Sequence, residues 1–287
     1  MTKKKKHQQG IPVPKWLKIG FKALELIAPY VAMRTAAHVF SKPIKFRVPK
    51  HEKRSIVTYS QQKHHISEID RDIMVYQWEN TGEKVLIIHG WSSRGTQMYR
   101  IAEKLHQAGF HVVAFDAPAH GKSTGKTTNM LQIIEVTQYL KHYFGDFYAL
   151  VGHSLGGNIA HQYARAANKL EKIVTIAAVD KISTVFANFI KMVGLSDKTY
   201  RRMTHYFEQK YSVDINDYDT SIAAKEVNIP SLVIHDKQDF DVGYDCAVQI
   251  VKNNKNATLM TTEGLGHSKI LNDSKVVEAV ASFIINP

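Results

Sequence analysis

FYALVGHSLGGNIAHQYARAAN, Phe147–Asn168, is the stretch on which the reading of this chain turns. FYALV is a short apolar run of strand type, GHSLG a tight glycine-rich turn, and LGGNIAHQYARAAN a helical pattern. A serine at the tip of a strand-turn-helix has its hydroxyl exposed on a strained backbone. Gly152 and Gly156 are required because side chains there would collide with the neighbouring strand or helix. Ser154 is therefore a candidate nucleophile, with Gly152, His153 and Gly156 forming its elbow. The helix that starts at Leu155 favours negative charge at its N-terminus, so the Leu155 N–H is a candidate oxyanion donor.

The same alternation of strand and helix extends outward from this stretch. Strands are expected at Ile73–Trp78, Val85–His89, Val112–Asp116, Phe147–Val151, Ile173–Ala178, Ser231–Asp236 and Ala257–Thr262. Helices are expected near Gln97–Ala108, Met130–Phe144, Leu155–Ala167, Tyr244–Val251 and Ser274–Ile284. Short apolar strands alternating with helices imply a mainly parallel sheet covered on both faces, with functional groups at the carboxyl ends of its strands. The rhythm breaks between Asp180 and Ile229, where apolar and aromatic residues cluster at helical spacing without a strand. The expected organisation is a basic N-terminal arm over 1–54, an α/β core over 55–179 and 230–287, and a helical cap over 180–229.

Charge is distributed unevenly along the 287 residues. Residues 1–54 carry 14 Lys/Arg against 2 Asp/Glu, and the rest carries 24 of each, so the whole formal excess of +12 lies in the arm. WLKIGFKALELI, Trp16–Ile27, reads as an amphipathic helix with a basic face, ended or kinked at Pro29. It is no transmembrane span, because Lys18, Lys22, Glu25 and Arg34 interrupt each apolar run. It also lacks the pattern of a signal peptide. Two readings of the arm stand side by side: a helix packed on the body of the protein, and peripheral attachment to anionic lipid. Nucleic-acid binding is disfavoured, since no aromatic-interleaved motif accompanies the lysines. The single cysteine, Cys246, can form no internal disulfide, which points to a reducing, cytoplasmic setting, with the inner membrane surface as the variant under the second reading.

HGW at His89–Trp91, DAPAHGKS at Asp116–Ser123, GHSLGG at Gly152–Gly157, HDKQDFDV at His235–Val242 and GLGH at Gly264–His267 each follow or end an expected strand. Together and in this order they resemble the α/β-hydrolase superfamily from about Ile73 to the C-terminus. The resemblance implies an α/β-hydrolase fold and a triad in the chain order Ser154, Asp239, His267. Among the acids after SLVIHD, Asp239 fits best, with Asp241 as the main competitor and Asp180 as a further one. Asp236 stands where the family commonly has glycine. Trp91 is implied as the second oxyanion donor beside Leu155, and His89 as a loop-orienting residue.

The resulting expectation is a serine hydrolase that cleaves carboxylic esters, of short to medium acyl length or lipid type, through an acyl-enzyme. Thioester, amide and C–C bond cleavage use the same triad, and a non-catalytic binding module on this fold is the alternative from another class. HGKSTGKTT is no phosphate loop, because His120 stands where the first glycine is needed. His64, His65, His120 and His153 lack zinc-site spacing. No cofactor and no metal are implied.

Overall fold

The computed structural model describes residues 13–49, 52, 59–167 and 169–286. The first twelve residues of the expected arm therefore lie outside the described residues. Eight strands form one sheet: β1 (Ser60–Ile66), β2 (Arg71–Trp78), β3 (Lys84–Ile88), β4 (His111–Phe115), β5 (Ala149–His153), β6 (Lys172–Ile176), β7 (Ser231–Asp236) and β8 (Ala257–Thr262). Their spatial order is β1-β2-β4-β3-β5-β6-β7-β8. β1 pairs antiparallel with β2 and β2 antiparallel with β4, while every later pairing is parallel.

Side chains of a strand alternate between faces, so a sheet covered on both sides needs apolar residues at every position. β3 and β5 show this. Val85, Ile87, Ala149 and Val151 join one core, which also holds Ile101 and Leu105 of α3 (Tyr99–Gln107) and Val276, Val280 and Ile284 of α11 (Ser274–Ile285). Leu86, Ile88 and Leu150 face the other, with Ile133, Val136 and Leu140 of α4 (Met130–Phe144) and Ile159 and Tyr163 of α5 (Leu155–Ala164).

β1 was not expected, and its residues explain why. SQQKHHI buries only His64 and Ile66, because it is an edge strand whose other side chains face solvent. β5 also extends two residues beyond the expected end, since Gly152 and His153 continue the ladder opposite Thr175 and Ile176. Pro29 acts as expected on the arm, which forms two helices, α1 (Lys15–Ile27) and α2 (Pro29–Phe40). Ala28, at φ −140° and ψ 71°, makes the break that a following proline favours, and Pro29 opens α2.

Between β6 and β7 lie α6 (Ile182–Val193), α7 (Asp197–Tyr211) and α8 (Thr220–Glu226); β7 is followed by α9 (Asp245–Asn253), and β8 by the short α10 (Gly266–Lys269). Phe21, Met33, Ala36 and Ala37 of α1 and α2 share a core with Phe186, Ile190, Val193, Met203 and Phe207 of α6 and α7. Glu25 fastens this contact: its carboxylate accepts from the Ser196 N–H at 3.1 Å, the Ser196 hydroxyl at 2.6 Å and the Thr199 hydroxyl, at the start of α7. Although burial pushes the Glu25 carboxyl up, these hydrogen bonds outweigh it and hold the group below its ordinary value. Asn158, fully buried on α5, ties the inserted helices to the sheet by donating to the Tyr218 carbonyl at 2.7 Å and the Thr220 hydroxyl at 2.8 Å.

Candidate active site

Ser154 sits between the end of β5 and the start of α5 at φ 54° and ψ −119°, a conformation that costs an L-residue on the order of 1–3 kcal/mol. Close packing enforces it. A Cβ at Gly152 would lie 2.3 Å from the Gly156 carbonyl oxygen, and one at Gly156 would lie 2.1 Å from that of Ile88. Strand and helix thus approach as closely as backbone allows, and the turn between them has no room for the usual geometry.

The carboxyl ends of β7 and β8 supply the other two groups. His267 Nδ1 lies 2.7 Å from Asp239 Oδ2, so with the proton on Nδ1 the imidazole donates to the carboxylate and leaves Nε2 free to accept. Asp239 Oδ1 accepts from the N–H groups of Asp241 and Val242, each at 2.9 Å. Burial alone would push this carboxyl up, but hydrogen bonds from His235, His267 and the Val242 N–H and the attraction of His267 outweigh it, holding the group well below the usual carboxylate range. A buried anion of this kind fixes the ring tautomer and stabilises an imidazolium.

The structure brings Asp239 rather than Asp241 to the histidine ring; the Asp241 carboxyl is pushed up by desolvation and the neighbouring Asp239 charge, against the attraction of His267. Asp180 is buried elsewhere and accepts from the Ser221 N–H at 2.8 Å. Asp236, the departure from the family pattern, is a brace. Its carboxylate accepts from the Gln238 N–H at 2.9 Å, the Thr262 hydroxyl at 2.7 Å and the Leu265 N–H at 3.0 Å, joining the Asp239 loop to the His267 loop. Despite burial those bonds hold its carboxyl low.

Two further residues support the pair: His235, which sequence reasoning passed over, and His153, which it placed in the elbow. His235 is fully buried, its Nε2 donating to the Val242 carbonyl at 2.9 Å and lying 3.5 Å from Asp239 Oδ2. Its sequence signal is its place in HDKQDFDV, four residues ahead of Asp239. His153 of the elbow donates from Nε2 to the His267 carbonyl at 2.9 Å, with the two rings 4.7 Å apart. Burial and the neighbouring His267 push His153 down to about 3, so it is a neutral prop.

Loops after β3 and β4 are stitched by two more neutral histidines. His89 donates from Nδ1 to the Gly90 carbonyl at 2.7 Å and accepts at Nε2 from the Ala117 N–H at 2.9 Å. His120 donates from Nδ1 to the Pro118 carbonyl at 2.9 Å and accepts at Nε2 from the Ser92 N–H at 3.0 Å. Burial pushes His89 down to about 4 and His120, also beside His89, down to about 3. Each acceptor role requires the neutral ring. Trp91, whose N–H is the expected second oxyanion donor, lies within this frame; Leu155 opens α5, where a first-turn N–H has no intrahelical acceptor.

These groups meet at a cavity of about 600 Å³. Ser154, His267, Trp91 and Leu155 line it together with apolar side chains from the arm and the inserted helices, among them Phe40, Phe186 and Phe207. Asp239 lies behind His267, buried. The Trp91 ring stacks with Phe40 at 6.3 Å and meets His120 edge-on at 5.2 Å, so its side chain faces the cavity. Asp239, Asp241 and His267 also have ligand atoms within 4.8 Å of one another, the spacing of a metal group, but the His267–Asp239 hydrogen bond already occupies one ligand atom of each.

A family model described as the alpha/beta hydrolase fold matches residues 84–204. The chain has the α/β-hydrolase fold. Among solved structures, an esterase from Pyrococcus furiosus superposes with a TM-score of 0.63 at 17% identity, covering 85% of this chain and 96% of that one. Among curated proteins, the pimeloyl-[acyl-carrier protein] methyl ester esterase of Vibrio vulnificus is 25% identical over 141 residues, 49% of this chain and 52% of its own. The monoacylglycerol lipase of Mycolicibacterium smegmatis is 28% identical over 123 residues, 38% of this chain and 44% of its own. The chain thus spans about half the length of the curated relatives it matches. In this chain the hydroxyl, the imidazole and the cavity converge at the carboxyl ends of the parallel strands, where the fold keeps its loops.

Proposed function

We propose that this protein is a serine hydrolase of carboxylic esters, with Ser154 as nucleophile, His267 as general base and Asp239 as its acid. The observation that carries the reading is the convergence of a strained serine and a carboxylate-bound histidine on one apolar cavity. Ser154 Oγ attacks the ester carbonyl and passes its proton to His267 Nε2. The tetrahedral oxyanion rests on the Leu155 and Trp91 N–H groups, and collapse expels the alcohol, protonated by His267. Water, deprotonated by the same imidazole, then releases the acid from Ser154.

The lining favours esters with an apolar acyl chain. About 600 Å³ walled by Phe40, Phe186, Phe207 and Val185 fits a short or medium chain, and among its lining residues Asp241 is the one Asp, Glu, Lys or Arg. The curated relatives named as a methyl ester esterase and a monoacylglycerol lipase support the ester class. In this reading residues 180–229 are a cap, which α1 and α2 complete.

Mass spectrometry after treatment with a serine-directed phosphonylating probe tests the proposal. Labelling of the peptide bearing Ser154, absent in Ser154→Ala, is the expected result. A folded wild type that stays unlabelled, with no hydrolysis of p-nitrophenyl esters of graded acyl length, would sink it in favour of a binding module.

A further inference from the structure

α1 carries two apolar stripes where one would suffice. Leu17, Phe21 and Leu24 face inward and pack with the inserted helices, or lie partly buried beside them. On the opposite side Trp16, Ile19, Leu26 and Ile27 stand 72%, 67%, 86% and 84% exposed, with Ala23 exposed between them. Their spacing of three, four and seven puts them on a single face. The first turn of α2 continues the patch with Tyr30 and Val31, 63% and 50% exposed. A helix apolar on both sides belongs between two apolar phases, and the described residues cover only one.

Charge identifies the second phase. Lys15, Lys18 and Lys22 run along one border of the outer stripe, and Lys191 and Arg201 line the groove beside it with Lys22. The sequence places Lys3, Lys4, Lys5 and Lys6 ahead of the helix, while the chain beyond residue 54 is charge-balanced. An apolar strip bordered by lysines, with Trp16 and Tyr30 as amphipathic aromatics, complements the headgroup and upper acyl region of an anionic bilayer. A second copy of this face would instead bring like charges together.

We propose that the outer face of the α1–α2 hairpin docks on an anionic lipid surface, with Trp16, Ile19, Leu26 and Ile27 inserted and the lysines on the headgroups. The hairpin is also part of the cavity wall, since Phe40 at the end of α2 stacks on Trp91 and the next segment adds Phe46 to the lining. Ile44 of that segment donates its N–H to the Ser92 hydroxyl at 2.9 Å, so the docking element and the catalytic frame are joined by direct contacts.

The test is co-sedimentation of the full chain with mixed phosphatidylglycerol and phosphatidylcholine vesicles, against phosphatidylcholine alone, at low and high salt. Partitioning to the mixed vesicles only, weakened by salt, with a blue shift of tryptophan emission that Trp16→Phe removes, is the expected result. Lys15→Gln/Lys18→Gln/Lys22→Gln should lower partitioning on the order of a hundredfold, at about fivefold per lysine. Leu26→Ser/Ile27→Ser should abolish it, and neither variant should alter the melting temperature or turnover of soluble esters. A folded wild type that ignores anionic vesicles overturns the proposal. So does binding that both variants retain, or a dimer that Leu26→Ser/Ile27→Ser dissociates while vesicles stay unbound. Vesicle binding needs no turnover, so it stands or falls separately from the hydrolase reading.

Discussion

At the scale of single residues, the site depends on which of several chemically equivalent groups reaches the reacting atom. Four aspartates follow the SLVIHD strand or end it, and their side chains have separate roles. Asp239 meets His267, Asp236 braces two loops, Asp241 lines the cavity beside them, and Asp245 begins a helix. This predicts a sharp split in kinetics. Asp239→Asn should lower kcat by about 10⁴-fold, because an amide oxygen cannot stabilise the imidazolium as an anion does and the histidine tautomer is no longer fixed. Asp241→Asn should change kcat less than about tenfold, since the ring hydrogen bond of His267 goes to Asp239 and Asp241 only lines the cavity nearby. Steady-state kinetics on a p-nitrophenyl ester compares them; equal losses would mean that the acid role is shared or lies with Asp241.

At the scale of elements, the contact between the arm and the inserted helices is held by apolar packing and by one polar clasp. Glu25 places its carboxylate against the Ser196 and Thr199 groups that open α7, where the helix N-terminus favours negative charge. Glu25→Ala should therefore destabilise the hairpin by about 1 kcal/mol, with most of the inner apolar contact intact. Hydrogen exchange of α1 and α2 amides reads this directly: exchange there should rise about fivefold while that of β5 and β6 stays unchanged. A uniform rise across the sheet would mean that the hairpin and the sheet unfold as one unit.

At the scale of the whole molecule, buried neutral histidines couple folding to pH. His89, His120 and His153 are pushed down to about 4, about 3 and about 3 by burial, with the rings of His89 and His267 beside the latter two adding to the effect. A group whose folded value is depressed binds its proton more readily when unfolded, so its contribution is fully present above about pH 6.5 and is lost as the pH falls toward the folded value. Each of the three should cost ~1 kcal/mol by pH 5.5 relative to pH 7.5. The Asp239 carboxyl, held low, adds a further loss only at more acid pH, below its ordinary value. Urea midpoints at pH 7.5, 6.5 and 5.5 should fall in that order, and a flat profile would contradict the neutral, buried state of these rings.

The sequence by itself determined the class of fold, because apolar strands at every position and a glycine-flanked serine between strand and helix leave few alternatives to a covered parallel sheet with an elbow. It also located the serine, the histidine and the Trp91 loop, since each sits at the end of a strand that local pattern defines. Tertiary structure decided what local pattern does not encode. The polar edge strand β1 is recognisable only by its pairing with β2. Asp239 rather than its neighbours meets His267 because two loops, pinned by Asp236 and His235, converge across 28 residues of chain. The arm's two apolar stripes are equivalent in sequence, and only packing of one against α6 and α7 reveals that the other is left exposed. Local periodicity specifies which side chains share a face, whereas the partner of that face depends on segments far along the chain.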